Sequence, residues 1–299
     1  MKINLAKSAG FCFGVKRAID IATKIAREKQ PVYPVRDYKA TGKKQDVSNG
    51  VYMLGDIVHN EDVVRNLARL GISRVKNLSR RKKGVLLIAA HGTAADLLGK
   101  AKQRGYEIVD ATCPMVKEIH RIAVKMDRQG YRIIIIGDKN HAEVIGIAGQ
   151  IRNKSIIIED SKETNSQKLN GVKKAAVVVQ STQDAQKVSK IRDALKKKID
   201  DLRFFDTICS PTKIKQREIR TLPKENDVVI VIGSKKSANT KRLYQIAKSI
   251  NKNTHWINNK NEIKRQWFEN AESAGVTAGA STPFESITSA IERIKSITQ

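Results

Sequence analysis

Asp110-Ala111-Thr112-Cys113-Pro114-Met115-Val116-Lys117 is the stretch on which the reading of this chain turns. A cysteine stands at the head of a helix-like segment, in which Val116, Ile119, Ile122, Ala123 and Met126 recur at helical spacing. The arrangement occurs twice more, as Phe11-Cys12-Phe13-Gly14-Val15-Lys16 and as Ile208-Cys209-Ser210-Pro211-Thr212-Lys213. Cys113 follows Cys12 by 101 residues, and Cys209 follows Cys113 by 96.

Outward from the cysteines a second landmark keeps step. His141 lies 28 residues beyond Cys113 and Ser237 lies 28 beyond Cys209, each just after an apolar, strand-like run. In the first section His59 lies 47 beyond Cys12, which matches if about 19 residues are inserted. Residues 34–51 are polar and basic with no steady period, and they read as that insert. A third landmark is a polar strand end: Ala90-His91-Gly92-Thr93, Gln180-Ser181-Thr182 and Ala280-Ser281-Thr282. The chain therefore reads as three copies of one unit. Strands are expected at 84–90, 132–136, 175–179, 227–232 and 275–278, with amphipathic helices between them. That alternation predicts an α/β fold: three similar units with parallel sheets. The expected units are 14–113 (with the insert), 114–205 and 206–299, the last joined by the N-terminal segment 1–13.

Composition narrows the class. An odd set of three widely spaced cysteines does not suggest a disulfide framework. Lone Lys2 ahead of a short apolar stretch broken by Gly10 does not read as a secretory signal. The longest apolar run, 133–137, is far shorter than the roughly 20 residues a bilayer requires. A cytoplasmic protein without membrane partners is expected. Lys and Arg number 57 against 30 Asp and Glu, a net charge of +27 that attracts anions. Only 5% of residues are aromatic, too few for a base-stacking surface, so no specific nucleic-acid partner is expected; a basic nucleic-acid-binding protein is the alternative that the charge alone would support.

Three thiolates brought to one centre would hold zinc or an iron–sulfur cluster. Structural zinc favours closely spaced cysteine pairs, absent here. A cubic [4Fe–4S] cluster commonly takes four cysteines, so three would leave one iron open as a Lewis acid. A catalytic zinc with three thiolates is the weaker rival. His59, His91, His141, Ser181, Thr182, Ser237, Asn239 and Ser281 are small donors suited to an anion, and the start of a helix after Ser237 would add free backbone N–H groups. Ser and Asn in such places are also ordinary caps, and His120 and His255, outside the repeat, read as surface or satisfied core residues. Glu143 is a carboxylate at a strand end; out of water its protonated form would be favoured.

Together these residues resemble the 4-hydroxy-3-methylbut-2-enyl diphosphate reductase (LytB/IspH) family. The matching pieces are Gly10-Phe11-Cys12, Val58-His59-Asn60, Ala90-His91-Gly92, Thr112-Cys113-Pro114, His141-Ala142-Glu143, Gln180-Ser181-Thr182, Ile208-Cys209, Ser237-Ala238-Asn239 and Gly279-Ala280-Ser281, in order along nearly the whole chain. The resemblance implies three α/β units around one central [4Fe–4S] cluster, held by Cys12, Cys113 and Cys209 with one open iron. It implies reductive removal of an allylic hydroxyl in the non-mevalonate route to isoprenoids, giving isopentenyl and dimethylallyl diphosphates. Glu143 matches the proton-delivering carboxylate. His59, His91, His141, Ser237, Ala238, Asn239 and Ser281 match diphosphate-binding positions, and Ser181, with Thr182 beside it, stands where a threonine usually positions the hydroxyl. Electrons would come from an acidic carrier such as ferredoxin or flavodoxin. This chain has Ala142 where the family usually has proline, Ser181 for threonine and Ala238 for serine. A diverged relative acting on another allylic diphosphate is the nearest alternative.

Overall fold

The computed structural model describes residues 1–29, 50–75, 77–78 and 84–299. The chain opens with strand β1 (Lys2–Leu5) and helix α1 (Phe13–Lys29). Next come β2 (Gly50–Leu54), α2 (Glu61–Arg69), β3 (Ile72–Val75), β4 (Gly84–Ile88), α3 (Ala95–Gln103), β5 (Tyr106–Asp110) and α4 (Pro114–Arg128). The middle third holds β6 (Arg132–Ile136), α5 (Ala142–Ala148), β7 (Ile156–Ile158), β8 (Lys174–Val179), α6 (Ala185–Lys196), β9 (Asp201–Phe204) and α7 (Ser210–Glu218). The last third holds β10 (Val228–Ile232), α8 (Ala238–Ile250), β11 (Thr254–Ile257), β12 (Ser273–Ala278) and α9 (Phe284–Thr298).

The strands form three four-stranded sheets, ordered β3-β2-β4-β5, β7-β6-β8-β9 and β11-β10-β12-β1. Every pairing among the described residues is parallel. The three orders are one pattern, with β1 from the chain's beginning standing where β5 and β9 stand. Parallel strands need helical crossovers, which cover both faces, so the central strands are apolar throughout rather than alternating. In the middle sheet Ile134, Ile136, Val177 and Val179 pack against Val188, Ile191 and Leu195 of α6. Ile133, Ile135, Ala176 and Val178 face Ile119, Ala123 and Met126 of α4 on the other side. Each buried branched side chain contributes on the order of 1.5–3 kcal/mol.

One sequence expectation needs adjustment. Residues 50 and 51 lie in β2, not in the 34–51 insert, because Val51 and Tyr52 pack into the core; residues 34–49 lie outside the described residues. The helix after Ser237 begins at Ala238, directly behind the Ser237 cap.

The repeat extends to single hydrogen bonds. Each sheet's fourth strand leads to a cysteine: β1 to Cys12, β5 to Cys113, β9 to Cys209. Each cysteine N–H donates to a carbonyl two residues past the third strand: Cys12 to Ala280 (3.1 Å), Cys113 to Ala90 (2.9 Å) and Cys209 to Ser181 (3.0 Å). Each cysteine carbonyl then accepts the first helical bond, from Lys16, Lys117 and Lys213. His59, His141 and Ser237 each lie five residues past the end of a first strand, and His91, Thr182 and Ser281 three past the end of a third. All these positions are at carboxyl ends of parallel strands, where open α/β sheets carry their sites.

Candidate active site

One cleft gathers these strand ends. It has about 750 Å³ of empty space, including its open mouth, and Cys12, Cys113, Cys209, His59, His91, His141, Glu143, Ser181, Thr182, Ser237, Ala238, Asn239 and Ser281 all line it. No Lys or Arg does.

The cysteines form one wall, and all three are free thiols. A Cβ on Gly14 would come within 2.5 Å of the Cys113 sulfur, so the Cys12 loop and Cys113 meet at that glycine. Burial pushes the Cys113 and Cys209 thiols above the usual cysteine range, and Cys12 and Glu143 reinforce the shift. Thiolates there call for a cationic centre. Among the described residues no three His, Cys, Asp or Glu converge closely enough to ligate one metal ion. Three free thiols bordering one shared void are a donor set that fits an iron–sulfur cluster.

Glu143 sits in the first turn of α5 and is 3% exposed. The Ser181 N–H donates to its Oε1 (2.6 Å) and the Ser181 hydroxyl to its Oε2 (2.8 Å). Burial pushes its carboxyl up to about 7, against the lowering effect of those two bonds. Glu143 is thus a carboxyl that holds a proton near neutral pH while fixed at both oxygens.

The remaining lining residues suit an anion. His59 stacks on His91 with ring centroids 5.1 Å apart and meets His141 edge-on at 5.2 Å. Burial lowers the pKa of all three, His91 to about 4 and His141 to about 3. His141 Nδ1 accepts from the Glu143 N–H (3.2 Å), which leaves Nε2–H as its free donor. Among the described residues the buried Nε2 of His59 and both amide atoms of Asn239 have no hydrogen-bond partner. Buried polar atoms are normally satisfied, so these point to a ligand that completes them. Ser237 caps α8, its hydroxyl oxygen accepting from the Thr240 N–H (3.3 Å), with its proton still available. Ser281 donates to the His59 carbonyl (3.0 Å), and the Thr182 hydroxyl accepts from Gln180 Nε2 (3.1 Å). Ala238 offers backbone only. Ala142 is the first residue of α5, a position that tolerates proline, so alanine there leaves the helix start unchanged.

Reasoning from the residues alone missed several supports. Thr212 touches the Cys209 sulfur through Oγ1 (3.0 Å), and buried Gln180 accepts the Asp138 N–H (2.9 Å). Buried Arg242 ties α8 to Asp138, beyond β6. His255 is satisfied, as expected, by Asn253 (2.7 Å) and stacks on Trp267. His120 is not: its Nε2 is buried without a partner among the described residues, close to Gly92.

The family model described as LytB protein matches residues 3–295. The chain belongs to the LytB family. The 4-hydroxy-3-methylbut-2-enyl diphosphate reductase of Campylobacter hominis is 37% identical to this LytB-family chain, over 99% of it and 100% of the relative. The enzyme of the same name from Caldanaerobacter subterraneus subsp. tengcongensis is 38% identical, over 99% and 98%. A solved structure titled as (E)-4-hydroxy-3-methyl-but-2-enyl diphosphate reductase, the terminal enzyme of the non-mevalonate pathway, is 32% identical, covering 99% of this chain and 100% of that one, with a TM-score of 0.67. The corresponding reductase of Plasmodium falciparum, 27% identical, superposes with a TM-score of 0.86 over 97% of this chain and 87% of its own. Among the described residues no helix is long and apolar enough to cross a membrane.

Proposed function

We propose that this LytB-family protein is a 4-hydroxy-3-methylbut-2-enyl diphosphate reductase, and that Cys12, Cys113 and Cys209 hold one [4Fe–4S] cluster. The observation that carries the reading is the composition of one cleft: three free thiols, a proton-holding carboxyl, and buried polar atoms left unsatisfied among the described residues. When bound, the cluster supplies single electrons and one open Lewis-acidic iron for the allylic oxygen.

The chain's own residues do the rest. The reaction consumes two electrons and two protons: the allylic C–O bond breaks, oxygen leaves as water, and a C–H bond forms. Glu143 delivers protons, and the paired Ser181 bonds aim its carboxyl into the cleft. His141 Nε2–H, the Asn239 amide and the Ser237 hydroxyl receive the diphosphate, with the free backbone groups at the start of α8. The three histidines are neutral before substrate arrives, so an entering anion favours their protonation. His59, His91, Ala238 and Ser281 complete this set, and Thr182 stands beside Ser181. Free thiols at all three cysteines suit a reducing compartment such as the cytoplasm. The physiological reductant is an acidic one-electron carrier of the ferredoxin or flavodoxin class, drawn by the net charge of +27.

Anaerobically purified, cluster-loaded protein with a chemical reductant should convert 4-hydroxy-3-methylbut-2-enyl diphosphate to a mixture of isopentenyl and dimethylallyl diphosphates. Absence of conversion by loaded protein would reject the substrate assignment while leaving the cluster intact.

A further inference from the structure

Lys215 lies on α7, six residues beyond Cys209, and is 3% exposed. Its ammonium donates to three backbone carbonyls: Ser8, Gly10 (3.0 Å) and Ala278 (3.3 Å). Ser8 and Gly10 belong to the loop that ends in Cys12, and Ala278 ends β12. One side chain therefore ties the Cys209 helix to the Cys12 loop and to the third sheet. Glu218, one turn further on, grips the same loop from outside: the Lys7 N–H (2.5 Å), the Ser8 N–H (2.9 Å) and the Ser8 hydroxyl all donate to it.

The three protons of the ammonium are matched by three acceptors, but all three are neutral. Among the described residues Lys215 forms no ion pair with a carboxylate, unlike buried Arg242, which is paired with Asp138. A buried cation without a counter-ion is costly and persists where a nearby anion offsets it. Burial lowers its pKa to about 8, and the groups placed to offset that burial with negative charge are Cys12, Glu218 and Cys209, the two cysteines once they bind a cationic group as thiolates. Of these, Glu218 is partly solvated, and the two thiols border the cleft.

We infer that Lys215 is the fixed internal countercharge of the three-cysteine site, a positioning residue that holds the Cys12 loop against the Cys209 helix and raises the reduction potential of the group bound there. The inference rests on the cluster reading above. A positive charge held in a poorly screened interior stabilises the form carrying the added electron.

The test is a potentiometric titration, followed by electron paramagnetic resonance, of anaerobically purified wild type, Lys215→Gln, Lys215→Met, Lys215→Arg and Glu218→Gln, with iron and sulfide measured in each. Lys215→Gln should hold a cluster whose midpoint potential is shifted negative, and Lys215→Arg should restore it towards wild type. Glu218→Gln removes an anion and should shift the potential the opposite way, and Lys215→Met, a second neutral replacement, decides the matter if Lys215→Gln fails to fold. Wild-type potentials in loaded Lys215→Gln, Lys215→Met or Glu218→Gln would overturn the inference and leave the cluster standing. A wild type that takes up no cluster would overturn both.

Discussion

At the scale of single residues, the site is a set of local conflicts that a ligand resolves. Glu143 has its carboxyl raised from 4.5 to about 7 by burial. The acid form is the active one, so turnover should be full below about pH 7 and fall as pH rises through it, and Glu143→Gln should lower kcat by ~10²–10⁴-fold with cluster content unchanged. The same shift makes a stability contribution that is present below pH 4.5 and lost as pH rises through about 7. A pH–rate profile set beside a pH–stability profile checks both signs. Asn239 gives a contrasting test. Its buried amide atoms have no partner among the described residues, so Asn239→Ala should leave the thermal stability of the ligand-free protein equal or higher. Pyrophosphate binding, measured by calorimetry, should weaken by about tenfold. Lost stability with unchanged binding would mean that the amide serves the fold instead.

At the scale of elements, the cysteines are placed by a repeated junction: fourth strand, cysteine, helix. The motifs were legible because this junction leaves cysteine, helical spacing and a lysine four residues on in each copy. Central strands were legible too; Ile133 to Ile136 are buried on both faces of the sheet and form an unbroken apolar run. Edge strands were not. β3 (Ile-Ser-Arg-Val) and β9 (Asp-Leu-Arg-Phe) are short and half exposed, so they carry no more apolar signal than a loop. Lys215 was hidden for a different reason: in a chain with 57 basic residues, nothing local marks one that folds inward. The junction itself is tested at Gly14. Because a Cβ there would sit 2.5 Å from the Cys113 sulfur, Gly14→Ala must displace one ligand relative to the other. Iron content per folded chain should drop while far-ultraviolet dichroism stays native; full iron loading would show that the two cysteines are not held against each other.

At the scale of the whole molecule, three sheets of one pattern turn their carboxyl ends to one cleft, and this is what turns three distant cysteines into neighbours. The near-equal spacing of Cys12, Cys113 and Cys209 made the repeat legible. β1 lies in the N-terminal segment 1–13 that the sequence reading joined to the last unit, and it pairs with β12 as the fourth strand of that sheet. The charge also acts at this scale. Lys16, Lys117 and Lys213 lie in the first turns behind the three cysteines, among the exposed apolar side chains of Phe13, Met115 and Ile214. An acidic carrier that docks by charge should reduce the protein more slowly as ionic strength rises. A stopped-flow rate that is flat across salt would remove the charge from that role.

The central claim is that the three cysteines jointly hold one iron–sulfur cluster. Iron, zinc and acid-labile sulfide, determined after anaerobic purification of wild type and Cys113→Ser, test it most directly. The account predicts iron and sulfide in the equal proportions of a [4Fe–4S] cluster in wild type, with both falling in Cys113→Ser. Zinc in place of iron, or iron and sulfide undiminished in Cys113→Ser, would contradict it.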